Sequence, residues 1–182
     1  MSTCLNVDQS AGDLTLHTGR AGVGSKVGHD LTLRVGQWSG VAQLADDGTV
    51  SGLRVTAALH SLKVLRGDGG LKPLSEKDKG TILGNAMDTL KVKAHPDLVF
   101  EASGLALAEG QSRVTGTVAL AGATGPQDLE LTVAREGTAV RVQAHGELVQ
   151  SAFGIKPYSG LLGALKVRDT VQLRADLSVN LP

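Results

Sequence analysis

The sequence predicts an antiparallel all-β fold of eight or nine strands with one short helix, closed as a barrel or stacked as a sandwich. Three observations predict it. Most of the chain alternates apolar and polar residues at period two, the mark of strands with one buried and one wet face. Only one stretch repeats at helical spacing, and no strand–helix–strand rhythm calls for a parallel sheet. The 24 glycines are spread through all 182 residues instead of gathering in a linker, so residues 1–182 read as one domain.

The elements follow in order. Leu14 and Leu16 alternate with Thr15 and His17. In SKVGHDLTLRV, residues 25–35, Val27, His29, Leu31, Leu33 and Val35 share one face of a strand. A histidine on that apolar face is either a hydrogen-bonded core group or a polar anchor in a cavity. GQWSG bends the chain, and Trp38, Gly40, Ala42 and Leu44 continue on one face. ADDGTV is a tight-turn signal. SGLRVTAALHSL then buries Leu53, Val55, Ala57 and Leu59, and RGDGGLKP reads as loop.

The helix is expected in SEKDKGTILGNAMDTLK. Ser75 can cap it, Glu76 and Asp78 suit its first turn, and Ile82, Leu83, Ala86, Met87 and Leu90 recur at helical spacing. Gly80 and Gly84 each weaken it by about 1 kcal/mol relative to Ala. After AHPD the alternation returns. LVFEASGLAL places Leu98, Phe100 and Ala102 on one face, and three further runs follow before TVQLRADLSV. That last strand sets Val171, Leu173, Ala175, Leu177 and Val179 against polar neighbours.

Aromatic residues make up only 2 % of the chain: Trp38, Phe100, Phe153 and Tyr158. The interior is therefore built from Leu, Val and Ala. A barrel of about eight strands is either filled by side chains or holds one small ligand, and small inner residues favour the second.

Eighteen basic side chains balance eighteen acidic ones. A neutral, aromatic-poor chain lacks both the charge and the stacking platforms that nucleic acid requires. Cys4 is the only cysteine, so no intrachain disulfide forms. MSTCLNVDQSAGDL carries neither a basic start nor an apolar run, and no stretch reaches the roughly 18 apolar residues of a spanning helix; a cytoplasmic location is expected.

Motifs of known chemistry fail. In GRAGVGSK a serine separates Gly24 from Lys26 and no helix follows, so it reads as a glycine-rich turn. There is no G-x-S-x-G elbow, and the five histidines lack metal-ligand spacing. No catalytic set, metal or cofactor is expected. RGD at 66–68 is read as a chance match.

Five stretches in this order resemble the YceI-like, polyisoprenoid-binding family: SKVGHDL, VTAALHSLKVL, KAHPDLVFEASG, GTVALAGATGPQDLELTV and AFGIKPYSGLLGALKVRDTVQL. Ser25, Val27 and His29 match an S-x-V-x-H pattern, Pro96 and Phe100 match P-x-x-x-F, and Gly154 and Asp169 match a late G…D-x-V stretch. Where the family carries R-D-x-x-L before the helix, this chain has RGDGGLKPLSEKDK. The resemblance implies an extended, lipocalin-like antiparallel barrel with an apolar tunnel. The implied partner is a long-chain isoprenoid, such as a polyprenyl quinone, or another apolar lipid. It also implies a homodimer.

For such a ligand His29 and Ser25 are the candidate contacts to a polar head. Trp38, Met87, Leu90, Phe100, Phe153 and Leu162 are the candidates for the apolar lining. Burial is worth about 0.8 kcal/mol per CH₂, while one methylene discriminates by only about 1–3 kcal/mol, so the head group would set specificity. Two other readings compete. A filled barrel could act through its surface in stress response or assembly. An enzyme could use His29 as a general base, but the sequence offers it no partner acid or nucleophile.

Overall fold

A computed structural model describes residues 3–180; Met1, Ser2, Leu181 and Pro182, the ends of the expected 1–182 domain, lie outside the described residues. The strands are β1 (Thr3–Asp8), β2 (Gly12–His17), β3 (Arg20–Ala21), β4 (Asp30–Val35), β5 (Trp38–Leu44), β6 (Val50–Ala58) and β7 (Leu62–Asp68). Helix α1 (Glu76–Thr89) follows. Then come β8 (Asp97–Leu107), β9 (Gly110–Leu120), β10 (Ala123–Glu136), β11 (Ala139–Val149), β12 (Ser159–Gly160), β13 (Leu165–Val167) and β14 (Thr170–Asn180).

Eleven strands form one antiparallel sheet in the order β1-β5-β6-β8-β9-β10-β11-β14-β2-β4-β7, and β12-β13-β3 form a small second sheet. The main sheet curls strongly into a half-barrel whose edges are β1 and β7. The class is the expected one, but the strand count is higher. Leu5 and Val7 give the N-terminal segment enough alternation to pair with β5. A 3-10 turn at Leu59–Ser61 splits one apolar run into β6 and β7.

Turn chemistry sets the hairpins. Between β5 and β6, Asp47 accepts from the backbone N–H of Thr49 at 2.9 Å and Gly48 adopts φ 82°. Between β9 and β10, Ala121 and Gly122 both take positive φ, the two-residue turn whose twist matches the sheet. Register slips between Thr32 and Leu33 and between Gln43 and Leu44 add local bend.

The core runs along the inner face. Trp38, Phe100, Val114, Val118, Phe153 and Ile155 are all buried. Phe100 fits because Gly116 on β9 leaves the room; a Cβ there would run into the ring. Outside, cross-strand pairs cover the sheet: Arg54 with Glu101, Arg113 with Asp128 at 2.7 Å, and Arg141 bidentate to Asp176 at 2.8 and 3.1 Å. Exposed pairs of this kind add little stability. They hold the carboxyls of Asp128 and Asp176 below the usual range through hydrogen bonds from Thr115 and Arg113, and from Arg141.

Helix α1 begins as the sequence predicts. Ser75 Oγ accepts from the N–H of Asp78 at 3.1 Å, and the Asp78 carboxylate accepts from the Ser75 N–H at 2.9 Å, a reciprocal cap. No residue of α1 is fully buried. Ile82, Leu83, Met87 and Leu90 pack against the core only in part.

Candidate functional site

Between α1 and the curled sheet lies a cavity of about 620 Å³. Its deep wall is apolar. Leu33 (β4), Leu62 (β7), Leu120 (β9) and Leu148 (β11) supply it together with Leu59, and all five are buried. Helix α1 closes one side with Ile82 and Ala86 and its C-cap residue Leu90, and β14 adds Val171 and Leu173. Charged groups enter the wall at one end only: Arg20 and Lys166 from the small sheet, Lys72 from the loop before α1, and Asp78 from the first turn of α1. Exposed Leu71, Lys72 and Lys166 mark that end as the mouth.

Most polar groups at the mouth are spent within the protein. Arg20 donates through Nη1 to the Gly28 carbonyl at 2.8 Å, and its own N–H donates to Asp30 Oδ1 at 2.8 Å. Gln150, buried, donates through Nε2 to the Arg168 carbonyl at 3.0 Å. Hydrogen bonds from the Ser75 backbone and hydroxyl, then the charges of Lys72 and His29, hold the Asp78 carboxyl below its usual range. Lys72 and Lys166 make no ion pair among the described residues. Among the described residues no cluster of three or more His, Cys, Asp or Glu could hold a metal.

His29 is hydrogen-bonded without being part of the core. It lines the cavity, and its Nε2 donates to the Lys72 carbonyl at 2.8 Å. It is half-buried and precedes β4, whereas the alternation had placed it within a strand. Ser25–Val27 form a 3-10 turn instead, and the strand begins at Asp30. The loop that replaces the family's R-D-x-x-L builds the rim around His29. Gly70, at φ 73°, leaves the space that the imidazole occupies, and Gly67 does the same for Leu74. RGD is not a loop motif here: it ends β7, with Arg66 paired to Asp68 at 3.1 Å.

Of the eight candidate residues, the cavity brings together His29 and Leu90. Ser25 and Met87 lie close by in sequence to lining residues but do not line it. Trp38, Phe100 and Phe153 are buried in the core, at 3–5 % exposure. Leu162 is fully exposed outside the cavity. The largest group in the lining that sequence reasoning missed is leucine on strand faces, and its signal was the alternation itself: Leu16, Leu31 and Leu173 sit on the faces marked as apolar. Two of the matched motif positions serve the architecture. Asp169 accepts from the N–H of Ser151 at 2.7 Å and from its hydroxyl, and Gly154 at φ 66° ends the turn that this clamp holds.

A curled antiparallel sheet with one helix over a largely apolar cavity defines a lipocalin-like binding protein. The chain belongs to the YceI-like family: the model of the YceI-like domain matches residues 6–179. Among solved structures it is similar to Burkholderia cenocepacia BcnA, with 16 % identity, 92 % of this chain and 96 % of that one covered, and a TM-score of 0.64. It is also similar to a polyisoprenoid binding domain from Saccharophagus degradans implicated in plant cell wall breakdown, with 14 % identity, full coverage of both chains and a TM-score of 0.63. The Campylobacter jejuni YceI protein matches at 18 % identity over 82 % of this chain and 84 % of that one, with a TM-score of 0.56. No curated protein sequence matches the chain. Family and fold support a binding protein.

Proposed function

We propose that this protein is a non-catalytic carrier holding one apolar chain of isoprenoid type between α1 and the sheet, with the polar end of the ligand at the mouth. The observation that carries the reading is the division of the cavity: leucines line its depth, and charge enters at one end. A pocket with a large apolar wall and a few placed polar groups suits an amphiphile. At about 30 Å³ per small group, 620 Å³ takes about twenty carbon-sized atoms, or roughly four isoprene units. A longer polyprenyl tail would keep its remainder outside the mouth.

The head group would meet Lys72, Lys166 and His29. With Nε2 donating to the Lys72 carbonyl, Nδ1 is the ring nitrogen left to meet a ligand hydroxyl. An enzymatic use of His29 gains no support from its surroundings, since its hydrogen-bond partner is a backbone carbonyl and no carboxylate orients it. Residence in the cytoplasm is part of the same proposal, and fractionation of the native cell tests it.

The test of the cavity is uptake of a C20 prenol, followed by displacement of an apolar fluorophore. The wild type should bind it one to one. Ala86→Trp, which fills the cavity from α1, should abolish uptake without unfolding the protein. Failure of the wild type to take up any apolar chain would contradict the proposal.

A further inference from the structure

The mouth of the cavity carries the most exposed large apolar side chains of the described residues. Val23 is 96 % exposed, Leu162 fully, Leu71 80 % and Leu161 61 %. They are gathered by backbone contacts. The loop bearing Val23 is tied to the segment after Leu161 and Leu162, because the Gly24 N–H donates to the Ala164 carbonyl at 2.8 Å. Leu71 lines the cavity and follows Gly70, which packs against the His29 ring. Val27, Leu71 and Tyr158 both face solvent and line the cavity, so the patch runs into the apolar wall without a break.

The display is held against backbone preference. Leu161 and Leu162 adopt φ 50° and 55°, the left-handed region that a bulky residue seldom occupies. The strain presents two leucines to water when ordinary geometry could tuck them away. Exposed strain of this kind concentrates at functional sites.

Charge chooses the partner. Lys72 and Lys166 line the mouth without ion pairs among the described residues, and Lys26 precedes Val27. Among the described residues the only carboxylate that lines the cavity is Asp78, already engaged by Ser75. Apolar tips with lysines beside them match a surface with acyl chains beneath anionic head groups.

We infer that Val23, Leu71, Leu161 and Leu162 insert into an anionic lipid bilayer, seating the cavity mouth on the membrane so that an apolar chain passes between the two without crossing water. This rests on the carrier reading for its purpose but not for its test.

The experiment is flotation with phosphatidylcholine vesicles and with phosphatidylcholine–phosphatidylglycerol vesicles, together with sedimentation of the free protein. The wild type should float with the anionic vesicles and lose binding as salt rises. The double variant Leu161→Ser/Leu162→Ser should weaken flotation at least about ten-fold, since each leucine loses its burial in lipid. It should still take up a C20 prenol from detergent solution. Lys166→Glu should weaken anionic-vesicle binding by roughly five-fold. Ala86→Trp should float like the wild type although it takes up no prenol.

Absence of wild-type flotation overturns the inference, and so does flotation unchanged in the double variant. Sedimentation as a dimer that Leu161→Ser/Leu162→Ser splits, with no flotation, would assign the patch to a second copy instead. A wild type that floats as expected yet binds no apolar chain would refute the carrier reading and leave the membrane surface standing.

Discussion

Where β5, β6, β8 and β9 curl, Trp38, Phe100, Val114 and Val118 fill the inner face; where β2, β4 and β14 curl, the leucines of that face border a cavity. Both regions belong to one sheet with one alternation. The difference is volume. In the filled region aromatic rings reach across, and Gly116 gives Phe100 its place. In the open region aliphatic side chains face α1, which has no fully buried residue and whose Gly80 and Gly84 have open space where a side chain would stand. A chain with few aromatics has placed its Trp and both Phe residues where they close space, and left leucine to line it.

The contrast can be broken at four points. The largest effect belongs to the filled region. Phe100→Ala should cost about 3–5 kcal/mol, read as a lower midpoint in urea unfolding, because a ring at 5 % exposure leaves a void. Next comes enlargement. Ala102→Leu, on β8 in the core, should cost about 1–3 kcal/mol by overpacking, while Ala86→Leu on the cavity wall should leave stability unchanged. Equal costs at the two alanines would erase the distinction between the regions.

Ser75→Ala removes the cap of the helix that covers the cavity. It should cost about 1 kcal/mol and raise hydrogen exchange in the first turn of α1, with the filled region unaffected. The smallest effect is a pH dependence on the outer face of the open region. His17, between Thr15 and Thr32, is held below the ordinary imidazole value, first by burial, then by the charges of Arg174, Arg66 and His145. Its protonation therefore costs the folded state more than the unfolded one. The contribution is full above the unfolded value, near 6.5, and is lost progressively as pH falls from there through the lower folded value. Melting temperatures of His17→Gln should consequently fall less than those of the wild type between pH 8 and pH 5.

Much of this contrast is written in the sequence, and the rest is not for definite reasons. Period-two alternation names the inward residues of β8 and β14 correctly, since each strand face is a local property. The cap at Ser75 is legible because its partner, Asp78, is three residues away. By contrast, the His29 hydrogen bond joins positions 43 residues apart, and the 3-10 turn at Ser25–Val27 hides in a pattern that also fits a strand. Apolar character alone does not say whether Trp38 or Phe153 fills space or borders it. Leu162 reads as a buried leucine until its left-handed backbone turns it out to solvent. The curl of the sheet depends on accumulated twist across eleven strands, which no local pattern encodes.

The most direct measurement is native mass spectrometry of the protein purified from its own source, followed by solvent extraction and identification of what is released. The account predicts one apolar chain per protein, absent from Ala86→Trp prepared in the same way. An empty wild-type protein that also takes up no prenol or polyprenyl quinone would contradict it.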